Sequence, residues 1–412
     1  MQRSTDKILT THVGSLVRTR AIIEGLKARE LKQPYDHDAF LEAVRSGVAE
    51  VVAKQVDVGI DIPNDGEFGR PGYTTYINDR LGGLEPRGLE EGEVVFGHHP
   101  ERQKFPEFFA QYDKHYRYLW MLPEVSLDDV PNLMGNHERF RVTGPITYIG
   151  QEAVQGDIAN LKAALQAHGH HVADAFVTAA TPVARHNDRD VLKYYPSLEA
   201  YLYAVADAMR EEYTAIVNAG FILQVDFGAL NPRTQMLLLE KRHPSEEDVR
   251  RAIELGIDVL NHALRDIPED RIRYHHCSGS MASPHTQDVP LREVVPMMLK
   301  IKAQAYVIEG ANPRHEHEWM IWRDLQLPDG KILVPGVISH QTNVVEHPEL
   351  VAWRISNFAG VLGKENVIAG GDCGFSQFWD SIRVHPTVQW AKLEALAQGA
   401  AMATRQLWGR AD

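Results

Sequence analysis

The sequence is poor in cysteine and has no excess of positive charge, and both shortages limit what the protein can do. Only two cysteines, Cys277 and Cys373, occur in 412 residues, so a disulfide-stapled secreted scaffold is excluded. The formal net charge of -13 leaves no basic surface for nucleic acid or for an anionic membrane. No apolar run approaches the roughly 20 residues of a membrane-spanning helix, and the first residues lack the apolar core of a signal peptide. We therefore expect a cytoplasmic protein whose partners are small molecules rather than nucleic acids or membranes.

The apolar pattern alternates between short strands and amphipathic helices. A first strand is predicted at 8–14, and helices are predicted at 38–58, 198–218, 246–264, 291–303 and 348–362. Further strands are predicted to end near Glu67, Thr143, Asp226, Cys277, Glu309, Ser339 and Asp372. Eight such units predict the α/β class, with a (β/α)8 TIM-type barrel as a single domain over residues 1–412. Two long segments, about 81–137 and 168–196, interrupt the alternation and are predicted to be insertions over the C-terminal mouth.

Reactive side chains collect at the predicted strand ends, where a (β/α)8 barrel carries its active site. They are Ser15, Glu67, Thr147, Asp226, His275, Cys277, Glu309, His340 and Cys373.

Four of these residues form a candidate zinc site. Period-two alternation puts His275 and Cys277 on the same side of one strand, and Glu309 and Cys373 arrive from two further strands. Two thiolates, one imidazole and one carboxylate fit tetrahedral zinc, and thiolate ligands disfavour magnesium, calcium and manganese. Zinc would also turn a bound thiol into a nucleophile near neutral pH. The structural alternative is that the cysteines are inert core residues or form a disulfide.

Taken in order, the strand-end motifs resemble those of the catalytic barrel of cobalamin-independent methionine synthases, over nearly the whole chain. The matching segments are 11–15, 65–70, 143–147, 224–226, 307–309, 336–344 and 372–374, together with His-x-Cys at 275–277. The resemblance implies zinc held by His275, Cys277, Glu309 and Cys373. It further implies that homocysteine is gripped by Ser15, Glu67 and Asp226, and that His340 is the acid that protonates the departing group.

These residue types suit the implied roles. Carboxylates at Glu67 and Asp226 can pair with an ammonium group, and a histidine such as His340 can donate a proton at cellular pH. Each also has an ordinary alternative. Glu67 could pair with Arg70, Asp226 could cap a loop, and His340 could be a core histidine.

Departures from the family bear on the alkyl donor. We expect the additional amino-terminal barrel of full-length synthases to be missing, and Gln151 stands where the family has a folate-stacking tryptophan. Asp226-Phe227-Gly228 replaces the family's Asp-Glu-Pro. Methyl-folate is therefore expected to be a poor donor.

Some features are closer to short single-barrel relatives, which include proteins similar to epoxyalkane:coenzyme M transferase. Arg314, in the histidine-rich stretch 312–318, could pair with a sulfonate or carboxylate. The alternative is that this stretch is a solvated helix start. His315 and His317 are not predicted as metal ligands, because alternating histidines on a loop are a weak signal.

The sequence therefore predicts a zinc-dependent S-alkyltransferase, with methyl transfer to homocysteine as the leading activity. One alternative is epoxide opening by a thiol, as in epoxyalkane:coenzyme M transferase. Another is a non-catalytic binding barrel that keeps zinc for stability. The identity of the thiol, the alkyl donor and the oligomeric state are left open at this point.

Overall fold

Helices and strands alternate along the chain in the computed structural model, which describes residues 1–88, 100–115, 139–169, 171–185, 188–227, 230, 245–279 and 283–409. The elements are α1 (Arg20–Glu30), α2 (His37–Asp57), β1 (Leu81–Arg87), α3 (Pro100–Lys104), α4 (Pro106–His115), β2 (Arg139–Tyr148), α5 (Gln151–His168), β3 (Phe176–Ala180), α6 (Leu198–Asn218), β4 (Ile222–Asp226), α7 (Glu246–Ala263), β5 (Ile272–His275), α8 (Leu291–Met298), β6 (Ala305–Ile308), β7 (Ile332–Ile338), α9 (Pro348–Leu362), β8 (Gly370–Gly371) and α10 (Pro386–Trp408). Short 3₁₀ helices lie at Thr75–Asp79, Pro182–Arg185, Val191–Lys193, Glu269–Arg271, Glu316–Arg323 and Lys364–Asn366. Across these ranges, no helix has the length and apolar character needed to span a membrane.

Six strands form one parallel sheet in the order β3-β4-β5-β6-β7-β8, which confirms the predicted α/β class. The register pairs Asp226 with His275 and His275 with Val307, so the carboxyl ends of β4, β5 and β6 lie at one edge. Strands β3 to β7 are buried along their whole length, as expected for a parallel sheet covered by helices. Single parallel bridges also join Thr11 to Ile62 and Thr10 to Ala369.

One predicted parallel strand was assigned to the wrong segment. The strand expected near Thr143 is β2, which pairs antiparallel with β1 in a separate two-stranded sheet. The segment 168–196, predicted as an insertion, supplies β3 of the parallel sheet. Burial explains why β3 rather than β2 belongs to the parallel sheet. Strand β2 is buried mostly at alternate residues, whereas all of β3 is buried. Alternation is typical of a strand with one solvated face, and continuous burial of a strand covered on both faces.

Most predicted helices agree closely with the observed ones, with one exception. The predictions for α6 and α9 match at both ends, and those for α2 and α7 differ by one residue at most. Helix α8 ends at Met298 rather than at 303. Asn261 on α7 explains this end, because its side chain donates to the carbonyl of Lys300 and accepts from the amide of Lys302, both at 2.9 Å. The predicted first strand at 8–14 is present only as the bridges at Thr10 and Thr11.

Two buried apolar clusters occupy the two faces of the parallel sheet, because successive strand residues point to opposite faces. The larger cluster joins one face to the helices. The smaller comprises Leu9, Val13, Ile62, Phe176, Ile222, Ala305, Val307, Ile332, Val334 and Ile368. Asp226 lies four residues beyond Ile222, and Glu309 lies two beyond Val307. The candidate site therefore continues the face of the smaller cluster at the carboxyl ends of the strands.

Candidate functional site

One pocket at the carboxyl ends of the strands brings together six of the eight predicted site residues. It encloses about 50 Å³ and is lined by Val13, Ser15, Glu67, Tyr73, Asp226, Phe227, His275, Cys277, Cys373, Gly374 and Gln377. A single water needs roughly 10–15 Å³ on this measure. The pocket therefore has room for a small molecule in place of several waters. Glu309 and His340 are not among the lining residues.

Cys277 follows β5 and Cys373 follows β8, and the thiols of both residues line the pocket. Both cysteines are free, and their Sγ atoms lie 3.7 Å apart. This distance is too long for a disulfide bond, so the structure does not contain the disulfide that the sequence left open. The hydrogen bond with Cys373, followed by burial, raises the pKa of Cys277 well above its ordinary value. Gln377 adds a donor, with Nε2 at 3.7 Å from the sulfur of Cys373.

His275 is oriented by a carboxylate on the neighbouring strand. Its Nδ1 lies 2.9 Å from Oδ1 of Asp226, and its Nε2 is buried with no hydrogen-bond partner. Burial lowers the pKa of His275, but the hydrogen bond and charge of Asp226 outweigh it and raise that pKa. With the proton on Nδ1, which the carboxylate accepts, Nε2 has a lone pair. A carboxylate on the far nitrogen is the arrangement that orients metal-binding histidines.

Glu309 directly follows β6 and is held at both carboxylate oxygens. Oε1 accepts from the amide of Ser278 and Oε2 from Nδ2 of Asn312, each at 2.8 Å. Burial raises its pKa well above the ordinary value, and the neighbouring Cys277 and Asp372 raise it further. Asp372 shapes the same loop, because its Oδ1 accepts from the amides of Gly310 and Ala311 at 2.8 Å.

Glu67 also lines the pocket, and Thr178 rather than Arg70 holds its carboxylate, because Oγ1 of Thr178 donates to Oε1 of Glu67 at 3.0 Å. It is 2 % exposed, and its Oε2 has no hydrogen-bond partner. Burial raises its pKa from 4.5 to about 7, and the charge of Asp226 adds to the rise. A buried carboxylate beside a second one favours a cationic ligand between them.

Ser15 and His340 are both buried, but they occupy different positions relative to the pocket. Ser15 lies against Gly374, where a Cβ would be 2.0 Å from Oγ of Ser15, so the close approach requires glycine. His340 is fully buried two residues after β7. Arg314, the candidate for a sulfonate, is exposed and does not line the pocket.

His315 belongs to a separate buried cluster rather than to the pocket. Its Nδ1 lies 2.7 Å from Glu318, and its Nε2 lies 3.3 Å from Asp288. Burial lowers its pKa, but these carboxylates prevail and raise it to about 10. Both ring nitrogens are engaged with carboxylates inside the protein.

Tyr73 and Gln377 line the pocket but were not predicted from the sequence. An antiparallel bridge between Gly72 and Phe378 and a 3.0 Å bond from the amide of Tyr73 to the carbonyl of Gln377 bring them together. More than 300 residues separate the two segments in the chain. No local sequence pattern signals such a pairing.

The donor atoms of the pocket can be compared with what a zinc ion requires. Among the residues that the structure describes, no ready-made group of three or more His, Cys, Asp or Glu side chains could hold a metal ion. Two sulfurs bound at about 2.3 Å to one tetrahedral zinc lie about 3.8 Å apart, and the two thiols here are 3.7 Å apart. His275 adds a buried nitrogen without a partner. The chemistry of these three donors fits zinc.

Comparison with known proteins finds relatives along the whole chain, although no family model matches it. A methionine synthase of Thermococcus kodakarensis is 36% identical over 401 residues, which cover 97% of this chain and 94% of that protein. A methionine synthase of Pyrococcus furiosus is 22% identical over 371 residues, covering 89% and 85%. Among solved structures, a B12-independent methionine synthase from Shewanella sp. W3-18-1 in complex with selenomethionine has a TM-score of 0.68 at 18% identity, covering 98% of this chain and 99% of that one.

Proposed function

Because the chain belongs to the cobalamin-independent methionine synthase family, we propose that it is a zinc-dependent methyltransferase that moves a methyl group to the sulfur of homocysteine. The observation that carries this proposal is the 3.7 Å approach of Cys277 and Cys373 from strands that are not neighbours in the sheet. The names of the relatives support the activity, and the pocket supports the chemistry.

The zinc ligands in this proposal are Cys277, Cys373, Nε2 of His275 and the carboxylate of Glu309. Each carboxylate oxygen has two acceptor sites, so Glu309 retains capacity for a metal beside its bonds to Ser278 and Asn312. When bound, zinc supplies the Lewis acidity that makes a thiol nucleophilic near neutral pH. Thiolate ligation needs reduced cysteines, which fits the cytoplasm, where we place the protein.

The substrate's ammonium group is assigned to Glu67 and Asp226, and Ser15 lines the same pocket. Oε2 of Glu67 lacks a partner inside the protein, and both carboxylates line the pocket. Asp226 has a second role that the sequence did not suggest, because its Oδ1 also orients His275. An ammonium between two carboxylates would satisfy charges that are costly to bury alone.

The same charges disfavour a thiol that carries a sulfonate, such as coenzyme M. Glu67 and Asp226 would repel it, and Arg314 is exposed and outside the pocket. Epoxide opening by such a thiol is therefore the weaker proposal.

His340 is proposed as the acid for the leaving group. Its place just after β7 puts it at the same edge of the sheet as the other site residues, and its burial separates it from bulk water. An imidazole can carry a proton and donate it to a leaving group, which is the role that this proposal gives to His340.

The alkyl donor is proposed to bind without an aromatic stack at position 151. Gln151 begins α5, and its Nε2 donates to the carbonyl of Tyr148 and to Glu211, both at 3.0 Å. The side chain is therefore held by the protein surface, which supports the expectation that methyl-folate is a poor donor.

We further infer that the sheet closes into a (β/α)8 barrel. Support comes from hydrogen bonds that run from β3 through the segment 61–63 to Thr11 and on to Ala369 beside β8. The amide of Phe176 donates to Pro63 at 3.1 Å, and that of Thr11 donates to Ala369 at 2.9 Å. In this arrangement, 8–13 and 60–64 would take the places of the first two strands.

A single barrel domain over the whole chain, with one insertion over the mouth, is the organisation that we propose. The described part of the segment 81–137 includes α3, where Glu101 accepts from the amide of Thr286 at 2.7 Å. Thr286 lies in the loop that follows the pocket residues of β5. This contact supports an insertion at the strand-end side; most of the rest of that segment lies outside the described residues.

The direct test is zinc content and thiol binding in the purified protein. We expect about one zinc per chain, lost in Cys277→Ser and Cys373→Ser but retained in His317→Ala, which changes an exposed histidine. Zinc-edge spectra should show a new zinc–sulfur bond with homocysteine but not with coenzyme M, glutathione or cysteine. Unchanged zinc in both serine variants would contradict the site, and a new bond with coenzyme M alone would favour the epoxide reaction.

A further inference from the structure

The backbone of Glu67 is held in a conformation that few residues other than glycine adopt. Its φ is +60°, in the left-handed region. Arg18 donates through Nη2 to the carbonyl of Glu67, and the amide of Glu67 donates to Oδ1 of Asp65, both at 3.0 Å. These two hydrogen bonds therefore fix the backbone position from which the Glu67 side chain extends.

Thr178 on β3 fixes the carboxylate at the end of the Glu67 side chain. Oγ1 of Thr178 donates to Oε1 of Glu67 at 3.0 Å, and Nη1 of Arg70 lies 3.0 Å from the same hydroxyl. A guanidinium can only donate, so the hydroxyl must accept from Arg70 and direct its single proton to Glu67. Thr178 thus holds one carboxylate oxygen and leaves the other without a protein partner.

Arg70 is itself anchored by further contacts, which keep its guanidinium in place as a donor to the Thr178 hydroxyl. Its Nη1 also donates to the carbonyl of Thr178 at 2.6 Å, and its Nη2 lies 3.4 Å from Asp157. Its guanidinium lies 4.4 Å from the ring centre of Tyr76. With 1 % exposure, Arg70 has no route to solvent.

Gly14 provides the space for this arrangement. A Cβ at position 14 would lie 2.6 Å from Oε1 of Glu67 and 2.7 Å from Cγ2 of Thr178, and its φ of +141° is itself unfavourable for other residues. The glycine before Ser15 is therefore explained by the contact between Glu67 and Thr178.

We propose that Thr178, held by Arg70, is a positioning residue for substrate recognition: it fixes Oε1 of Glu67 so that Oε2 remains available to the ammonium group of an amino-acid thiol. This inference rests on the proposed function, because it assumes that an amino-acid substrate occupies the pocket. Thr178 does not need to touch the substrate.

The test compares Thr178→Val with Thr178→Ser, with Thr181→Val as the matched control. Thr181 follows the same strand, and its buried hydroxyl has no hydrogen-bond partner. The readouts are the Kd of L-methionine, which has no thiol, by calorimetry, and the KM and kcat for homocysteine. Loss of a hydrogen bond to a charged group should raise Kd and KM about tenfold in Thr178→Val, with kcat nearly unchanged. Thr178→Ser should restore both, and Thr181→Val should leave both near the wild-type value.

The pH dependence adds a readout that a general packing defect would not move. The charged groups that act on Glu67 are Asp226 and Asp65, which raise its pKa, and Arg70 and Arg18, which lower it. Thr178→Val removes a donor to the ionised carboxylate, so the pH at which methionine affinity falls should move upward. Unchanged Kd and pH profile in Thr178→Val, or an equal loss in Thr181→Val, would overturn the inference. If the wild-type protein binds neither homocysteine nor methionine, the proposed function fails, and this inference fails with it.

Discussion

At the scale of single residues, three buried carboxylates of the site each hold another group in place. Asp226 orients His275, Glu309 is bonded to the amide that follows Cys277, and Asp372 fixes the loop that carries Glu309. Glu67 differs because one of its oxygens has no partner. Such pre-arranged polar groups are what a site requires to bind the same ligand in the same geometry each time.

Variants of His275 and His276 test which of these neighbouring residues faces the proposed zinc ion. We expect His275→Asn to lower zinc affinity by more than tenfold, since thiolate and imidazole ligands supply the affinity. His276→Asn should retain zinc, because the alternation of the strand turns it to the other side. Zinc titration against a chelator measures both, and the reverse result would show that the assigned strand register is wrong.

Substitution of His340 tests whether this residue is a general acid or a structural histidine. Replacing it with Asn should preserve zinc and thiol binding but lower kcat by roughly 10²–10⁴-fold, the usual contribution of a general acid. A sulfonium donor leaves as a neutral thioether and should be nearly unaffected. Near-normal turnover with every donor would remove the acid assignment, and loss of zinc would place His340 among the ligands.

The raised pKa of Glu67 predicts how ligand affinity depends on pH. Burial, followed by the charge of Asp226, raises that pKa to about 7, so the carboxylate becomes protonated as the pH falls below that value. Affinity for L-methionine should therefore weaken by up to about tenfold per pH unit below 7. Calorimetry from pH 5.5 to 8.5 measures this. Glu67→Gln should bind weakly at every pH, and a wild-type profile without slope would contradict the role of Glu67.

At the scale of elements, helix ends are set locally, whereas the partners of strands are not. Helix α7 begins with a capping box, in which Ser245 accepts from the amide of Asp248 at 3.1 Å and Asp248 accepts from the amide of Ser245 at 3.0 Å. Three acidic residues in its first turn suit the positive end of the helix dipole. The helix start at 246 was predictable for this reason.

Ser245→Ala should destabilise the protein by about 1 kcal/mol, since it removes the N-cap of α7. Denaturant unfolding measures the change. Ser46→Ala is the control, because Ser46 is exposed inside α2 and alanine favours the helix interior. An equal or smaller loss of stability in Ser245→Ala than in the control would show that the capping box contributes little.

At the scale of the whole molecule, hydrogen bonds join the first residues of the chain to residues near its other end. Ser4 donates to the carbonyl of Val367 at 2.6 Å, and Thr404 accepts from the amide of Ile8 at 3.0 Å. The amide of Ala369 donates to Leu9 at 2.8 Å. Ser15 and Cys373 are thereby brought to the same pocket from opposite ends of the sequence.

Amide hydrogen exchange tests whether this junction closes a barrel. If it does, the amides of Thr11 and Ala369 should exchange as slowly as those in the centre of β4 and β5, because opening would require global unfolding. The amide of Gly330, in an exposed turn with φ of +79°, is the fast-exchanging reference. Fast exchange at both junction amides would indicate an open sheet.

Much of the fold was predictable because its signals are local. Helical apolar spacing located α2, α6, α7 and α9, and short apolar runs located the strands that end at Asp226 and Ile308. The sequence also contains part of the information needed to assign β3, rather than β2, to the parallel sheet. Phe176–Ala180 is a short run suited to a doubly buried strand, whereas Arg139–Tyr148 alternates between polar and apolar residues.

By itself, the sequence determined which residues are reactive, and the strand alternation placed them at one end of the fold. Six of the eight predicted side chains do line one pocket, since parallel strands present their carboxyl ends at a common edge. Only the tertiary structure decided the contacts of Tyr73, Gln377 and Thr178, and it alone showed that Asp226 orients His275. The physical reason is that a hydrogen bond between distant segments depends on register, twist and packing together. None of these is encoded in the spacing of neighbouring residues.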